Sequence, residues 1–272
     1  MSYAALPLRA ASRPPVNWGD PVTPARFLWL VSGRLYYDEF LQRNLPAVWS
    51  HLQAGGALTI QQFGLPGLLA VSLGLIVFFV PSRLYFLTLW IALVYTLFAL
   101  QYEVTDSFVY LLPVYLAFSI WIGLGVGGSM YFLSGHWAQA SWAIGALCIV
   151  YLTILALHNW PQVNASHDIA AELYGREVMT TAPARAILFA QGDETVFTLW
   201  YFHYALRERR DLIVIAADLL PFDWYRANLQ YTYPELVLPS STQDPWVSVV
   251  RQSNPGRPAC YPDYLDTTLN CQ

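Results

Sequence analysis

The chain has 272 residues, a formal net charge of −4, 56% hydrophobic residues and only 12% charged ones. A soluble domain usually carries about twice that charged fraction, and an acidic chain without clustered cations is a poor partner for nucleic-acid phosphates.

The shortage of charge is local. Residues 63–160 hold three charged side chains, Arg83, Glu103 and Asp106, whereas residues 161–272 hold 13 acids and 8 arginines. The shift at Trp160–Pro161 marks a change of solvent. It predicts three regions: an interfacial or external segment over 1–62 with amphipathic helices, a transmembrane region of about four helices over 63–160, and an external α/β domain over 161–272. The fold class expected is therefore a helical membrane protein carrying a C-terminal α/β domain.

Met1–Ala11 lacks a basic stretch followed by an apolar core, so the helices themselves are expected to drive membrane insertion. Asn17-Trp-Gly-Asp20-Pro21 has turn chemistry. Thr23 followed by Pro24 reads as an N-cap with proline at the first helical position. Phe27, Leu28, Leu30, Val31 and Leu35 then recur near helical spacing over Ala25–Tyr37, which suits an interfacial amphipathic helix. A second short helix is expected over Tyr37–Leu52.

Four apolar runs follow, each near the roughly 20 residues that cross a bilayer core. They cover about Phe63–Val80, Ser82–Leu100, Phe108–Leu133 and Trp137–Trp160, with Pro113 a possible kink in the third. Only Pro81-Ser82-Arg83 joins the first two. Trp137, Trp142 and Trp160 suit an aromatic belt. Four crossings place both ends on one side. Arg83 marks its loop as cytoplasmic and leaves the C-terminal domain of this integral membrane protein extracytoplasmic.

Beyond the last run the period changes. Ser166–Thr181 reads as a helix capped by Ser166. Arg185–Ala190 and Asp211–Ala216 read as buried strands joined by a turn at Gln191–Thr195 and a helix reaching about Arg209. Such a βαβ unit implies a parallel pair. A short helix is expected over Pro221–Leu229. Tyr231–Gln272 reads as Pro-rich and irregular, with a possible strand at Glu235–Leu238. Cys148 reads as a small buried hydrophobe. Cys260 and Cys271 form a disulfide if the tail faces an oxidising compartment, and are otherwise two free thiols.

Candidate chemistry is sparse. Gly123-Leu-Gly-Val-Gly-Gly128 matches a dinucleotide fingerprint literally, but it lies inside an apolar run with no acid at the right distance; close helix packing explains it better. Gly192-Asp-Glu-Thr195 starts a helix, where acids in the first turn favour a cap over an anion site. Glu103 and Asp106 at a membrane boundary are a candidate base or ligand, or ordinary loop charges. His51, His136, His158, His167 and His203 show no metal-ligand spacing, so neither a metal nor a cofactor is expected. Arg9, Arg13, Arg26 and Arg34 accompany Trp18, Trp29 and Tyr36 beside the first run. Such a group can hold a lipid phosphate or simply anchor to anionic headgroups; both readings stay open.

Four stretches resemble one family: Asn17–Gly33, Tyr3–Ala10, Phe108–Pro113 and Ile187–Tyr201. They are similar to a bacterial family of multi-spanning membrane proteins of uncharacterised function. That family is related to protein O-mannosyltransferases and the GT-C glycosyltransferase superfamily. The resemblance implies a polyprenyl-phosphate sugar donor, chemistry outside the cytoplasm, and a match to the C-terminal half of such proteins. The catalytic acid of that superfamily lies in an earlier loop, so no catalytic residue is carried over, and an upstream membrane polypeptide becomes an expected partner beside membrane lipid. On this reading Arg9, Arg13 and Arg26 would face a leaving phosphate, Trp18 and Asp20 would shape a pocket for acceptor or headgroup, and the chain alone would be inactive. The rival reading is a non-catalytic membrane subunit whose external domain binds a partner.

Overall fold

The computed structural model describes residues 2–39, 44–77, 83–102, 107–135, 137–239, 245–266 and 268–272. Glu103, Asp106, His136, and Pro81 and Ser82 of the first expected hairpin lie outside them. The chain forms two units: Met1–Leu35 together with Ala165–Gln272, and Tyr36–Asn164. The first 35 residues thus group with the α/β part.

The second unit is helical. Helices α3 (Leu45–Ser72), α4 (Arg83–Gln101), α5 (Leu112–Ser134) and α6 (Ala138–Val163) form it. All four are long and apolar enough to cross a membrane, the first running on through a π-helical turn to Ile76. The first span starts well before the expected Phe63. Asn44 caps it by accepting the Ala47 amide at 2.9 Å, and Pro46 occupies its first turn. It is broken at Gly64, whose φ of 60° and ψ of 171° are not helical. Beside this break the Tyr151 hydroxyl donates to the Phe63 carbonyl at 2.8 Å. A small core gathers Val71, Ala92, Ala99, Leu111, Val114, Ala117 and Trp121. The Trp121 indole donates to Thr88 Oγ1 at 3.1 Å. Most other large apolar side chains point outward, Trp142 and Trp160 among them.

The first unit is built on a four-stranded mixed sheet, β1 (Ile187–Ala190), β2 (Ile213–Ala216), β3 (Ala259–Asp263) and β4 (Thr268–Cys271), in spatial order β2-β1-β3-β4. β1 pairs in parallel with β2, Ile187 opposite Ile213, and with β3, Ile187 opposite Ala259. β3 and β4 are antiparallel and carry the Cys260–Cys271 disulfide. Every residue of β1 and β2 is buried, which is why both read as unbroken apolar runs.

Helices α7 (Ala170–Thr181), α8 (Asp193–Trp200), α9 (Asp223–Thr232) and α10 (Trp246–Ser253) surround the sheet. α7 starts at Ala170 rather than at Ser166, and Asp168 Oδ1 accepts the Ala170 amide at 3.1 Å. α8 runs into a π-helical turn, Tyr201–Ala205. The expected strand at Glu235–Leu238 does not form. Instead the Asn254 side chain accepts from the Val237 amide at 3.0 Å and donates to its carbonyl at 2.9 Å, taking both groups that a neighbouring strand would have used.

The N-terminal segment packs on this core. Its helices are α1 (Ala5–Ala11) and α2 (Pro24–Val31). Thr23 caps α2, as its sequence predicts. A 3₁₀ stretch, Arg34–Glu39, follows in place of further α-helix.

Candidate functional site

Charge is mixed at the amino ends of the parallel strands, where Glu208 and Asp211 accompany the arginines, and acidic at their carboxyl ends. Arg185, Arg209, Arg210 and Arg257 precede the three strands, whereas Asp193, Asp218 and Asp263 lie at or beyond their carboxyl ends. At the carboxyl pole Gly192, at φ 74°, presents its amide to Asp218 Oδ2 at 3.2 Å, and Asp193 and Glu194 occupy the first turn of α8. An incoming anion would meet carboxylates there.

At the amino pole two of the arginines are structural. Arg209 Nε and Nη2 donate to Asp211 at 2.9 and 3.0 Å, and its Nη1 donates to the Met179 carbonyl at 2.6 Å. This paired hydrogen bond holds the Asp211 carboxyl well below the usual carboxylate range and raises Arg209. Arg257 Nη1 donates to the Arg185 carbonyl at 3.0 Å. Arg207 and Arg210 differ. Both are exposed, and among the described residues neither guanidinium has a hydrogen bond or ion pair.

These two line a solvent-open cavity of about 390 Å³ with Pro15 on one side and Thr232 on another. Its inner wall is His203, Tyr204 and Tyr233. His203 Nδ1 lies 3.2 Å from the Glu208 carbonyl oxygen, which can only accept, so Nδ1 carries the proton. Burial pushes the His203 pKa down, so the ring is neutral and Nε2 is an acceptor. Tyr233 therefore donates to Nε2 at 2.9 Å, and Tyr204 donates to the Tyr233 oxygen at 2.8 Å. Burial holds both phenols protonated, with pKa values above 10. A directed chain of hydrogen bonds thus runs along the cavity wall from Tyr204 through Tyr233 and His203 to the Glu208 carbonyl.

The residues singled out in the sequence do not gather at one point. Arg26 is paired with Asp20, which also accepts from Asn17 at 2.9 Å. Trp18 lies against Trp224, ring centres 6.1 Å apart. The Arg26–Asp20–Asn17 cluster lies within the segment, and Trp18 docks it on α9. Arg9 is exposed on α1. Arg13, with a left-handed φ of 48°, sits over the Tyr231 ring at 5.0 Å, beside the Thr232 edge of the cavity. Sequence reading missed His203, Tyr204, Arg207, Arg210, Thr232 and Tyr233. The available signal was three arginines at 207, 209 and 210 immediately before a buried strand.

A second depression, between α7 and the end of α8, is about 540 Å³ and is lined by Phe197, Tyr201, Phe202 and Leu206 with Glu172 and Arg176. Among the described residues no three His, Cys, Asp or Glu side chains come together as a metal site requires.

One family model matches within this unit. The chain is similar to TMEM260-associated domain 2 over residues 171–245. The match runs from α7 through β1, α8 and β2 and past α9, and so contains His203, Tyr204, Arg207, Arg210, Thr232 and Tyr233. TMEM260 is a protein O-mannosyltransferase-like protein. No curated protein matches the sequence, and no solved structure matches it.

Proposed function

We propose that the chain is the C-terminal portion of a GT-C-like membrane glycosyltransferase, which transfers a sugar from a polyprenyl-phosphate donor to an acceptor outside the cytoplasm. The observation that carries this reading is the match to TMEM260-associated domain 2, set in a chain with four helices long and apolar enough to cross a membrane. The Cys260–Cys271 disulfide supports placing the α/β unit in a non-reducing, extracytoplasmic compartment.

Sugar transfer needs a base for the acceptor hydroxyl and cations for the leaving phosphate. In the proposed enzyme the base comes from an upstream membrane polypeptide. Of the sequence-chosen cations, Arg9 is exposed, Arg13 lies over the Tyr231 ring and Arg26 is already paired with Asp20. The test is transfer of labelled sugar from a polyprenyl-phosphate donor, with the chain expressed alone and with that polypeptide. Transfer by the pair only is expected. Transfer by the chain alone would remove the role of the second polypeptide, and no transfer by the pair would remove the enzyme reading. The apolar depression lined by Phe197, Tyr201 and Leu206 favours the rival, a non-catalytic membrane subunit with a partner-binding domain.

A further inference from the structure

We propose that the cavity bounded by Arg207, Arg210, Tyr204 and Thr232 binds the phosphate group of a phosphorylated ligand. Two guanidinium groups that no described residue neutralises face one opening, and each offers several N–H donors in a fixed plane. The nearby acids do not cancel them. Asp211 is held by Arg209 and Glu235 by Arg257, which leaves Glu208 as the remaining carboxylate in this stretch.

The Tyr204 hydroxyl lies at the same opening, while the Thr232 hydroxyl already donates to the Asn228 carbonyl at 2.9 Å. To donate to a ligand oxygen Tyr204 gives up its bond to Tyr233, whereas Tyr233 keeps its own proton on His203. A phosphate has three or four acceptor oxygens and up to two charges, which matches more of these donors than a carboxylate can. Pro15, from the N-terminal segment, supplies an apolar edge for whatever carries the phosphate. This inference does not depend on sugar transfer. It would hold for an enzyme portion or for a subunit.

Two sources share this chemistry, a free phosphorylated molecule and a phospholipid headgroup. The full chain in detergent would be titrated with inorganic phosphate at constant ionic strength. In parallel, phosphatidic acid retained after extraction from mixed phosphatidylcholine and phosphatidic-acid membranes would be counted by native mass spectrometry. Saturable binding is expected, weakened about tenfold or more by the double substitution R207Q/R210Q. R176Q, on α7 and paired with Glu172, should leave it unchanged. Should the double variant fail to fold by circular dichroism, R210Q alone takes its place. Loss of inorganic phosphate binding assigns the cavity to a free phosphorylated ligand. Loss of retained phosphatidic acid alone assigns it to a lipid headgroup. Binding that the variants leave unchanged, or no binding of either probe by the unsubstituted chain, overturns the proposal.

Discussion

The Asn228 amide group donates to the Pro15 carbonyl at 2.7 Å, joining positions 213 apart in the chain. Asn228 is 7% exposed, so its loss removes a largely buried link between the two stretches. Together with Trp18 against Trp224 and Trp29 against Phe222, it seats the N-terminal segment on α9. Asn228→Ala should lower the stability of the seated state by ~1–3 kcal/mol. Trypsin should then cut faster after Arg9 and Arg26. Unaltered cleavage at both would mean that the aromatic contacts hold the segment without the hydrogen bond.

Gly175 sets the approach of α7 to the π-helical turn after α8. A Cβ there would lie 2.2 Å from the Phe202 ring, and Phe202 is buried. Gly175→Ala should therefore destabilise by roughly 1–3 kcal/mol through overpacking. Adding Phe202→Leu should recover part of the loss, since the smaller side chain vacates the contested space. Thermal melts of the single and double variants check this. Two additive losses would show that the two residues do not compete for one volume.

His203 makes stability depend on pH. Burial lowers its folded pKa below the ordinary 6.5. As pH falls below about 6.5 the unfolded chain takes up a proton that the folded chain refuses. Its contribution is therefore complete above that value and is lost as pH falls through the folded pKa. His203→Gln keeps a donor and an acceptor but does not titrate. The melting temperature of the native chain should drop more between pH 7 and pH 5 than that of the variant. Parallel curves would place the acid sensitivity elsewhere.

Much of the architecture was legible because it rests on local composition. The strand runs Ile187–Ala190 and Ile213–Ala216 are buried on both faces and so are apolar throughout. Three of the four long helices show their extents in hydropathy alone. The first does not, because its early turns carry His51, Gln53, Gln61 and Gln62, which dilute the apolar signal. β3 was hidden by Pro262 and by its short pairing with β1, and α10 by the prolines around it. The cavity was out of reach for another reason. Pro15 and Thr232 meet only through long-range packing, and no pattern in either stretch announces the other.

The glycine run inside α5 offers a contrast within one helix. A Cβ on Gly125 would lie 2.3 Å from the Ala70 carbonyl oxygen, and one on Gly74 would lie 1.8 Å from that of Trp121. The two backbones touch there, which is the arrangement small residues permit between apolar helices. Gly123 and Gly127 have nothing within 4 Å of the same position. The dinucleotide reading would treat the fingerprint glycines as one functional set; the packing reading separates them. Gly125→Ala must force the Ala70 backbone away and should cost roughly 1–3 kcal/mol or more. Gly123→Ala and Gly127→Ala meet no neighbour and gain helix propensity of up to ~1 kcal/mol, so they should be neutral or stabilising. Unfolding titrations with SDS in mixed micelles would order the three variants. Equal losses at all three positions would sink the packing account, because only a shared ligand or a shared backbone requirement would treat them alike.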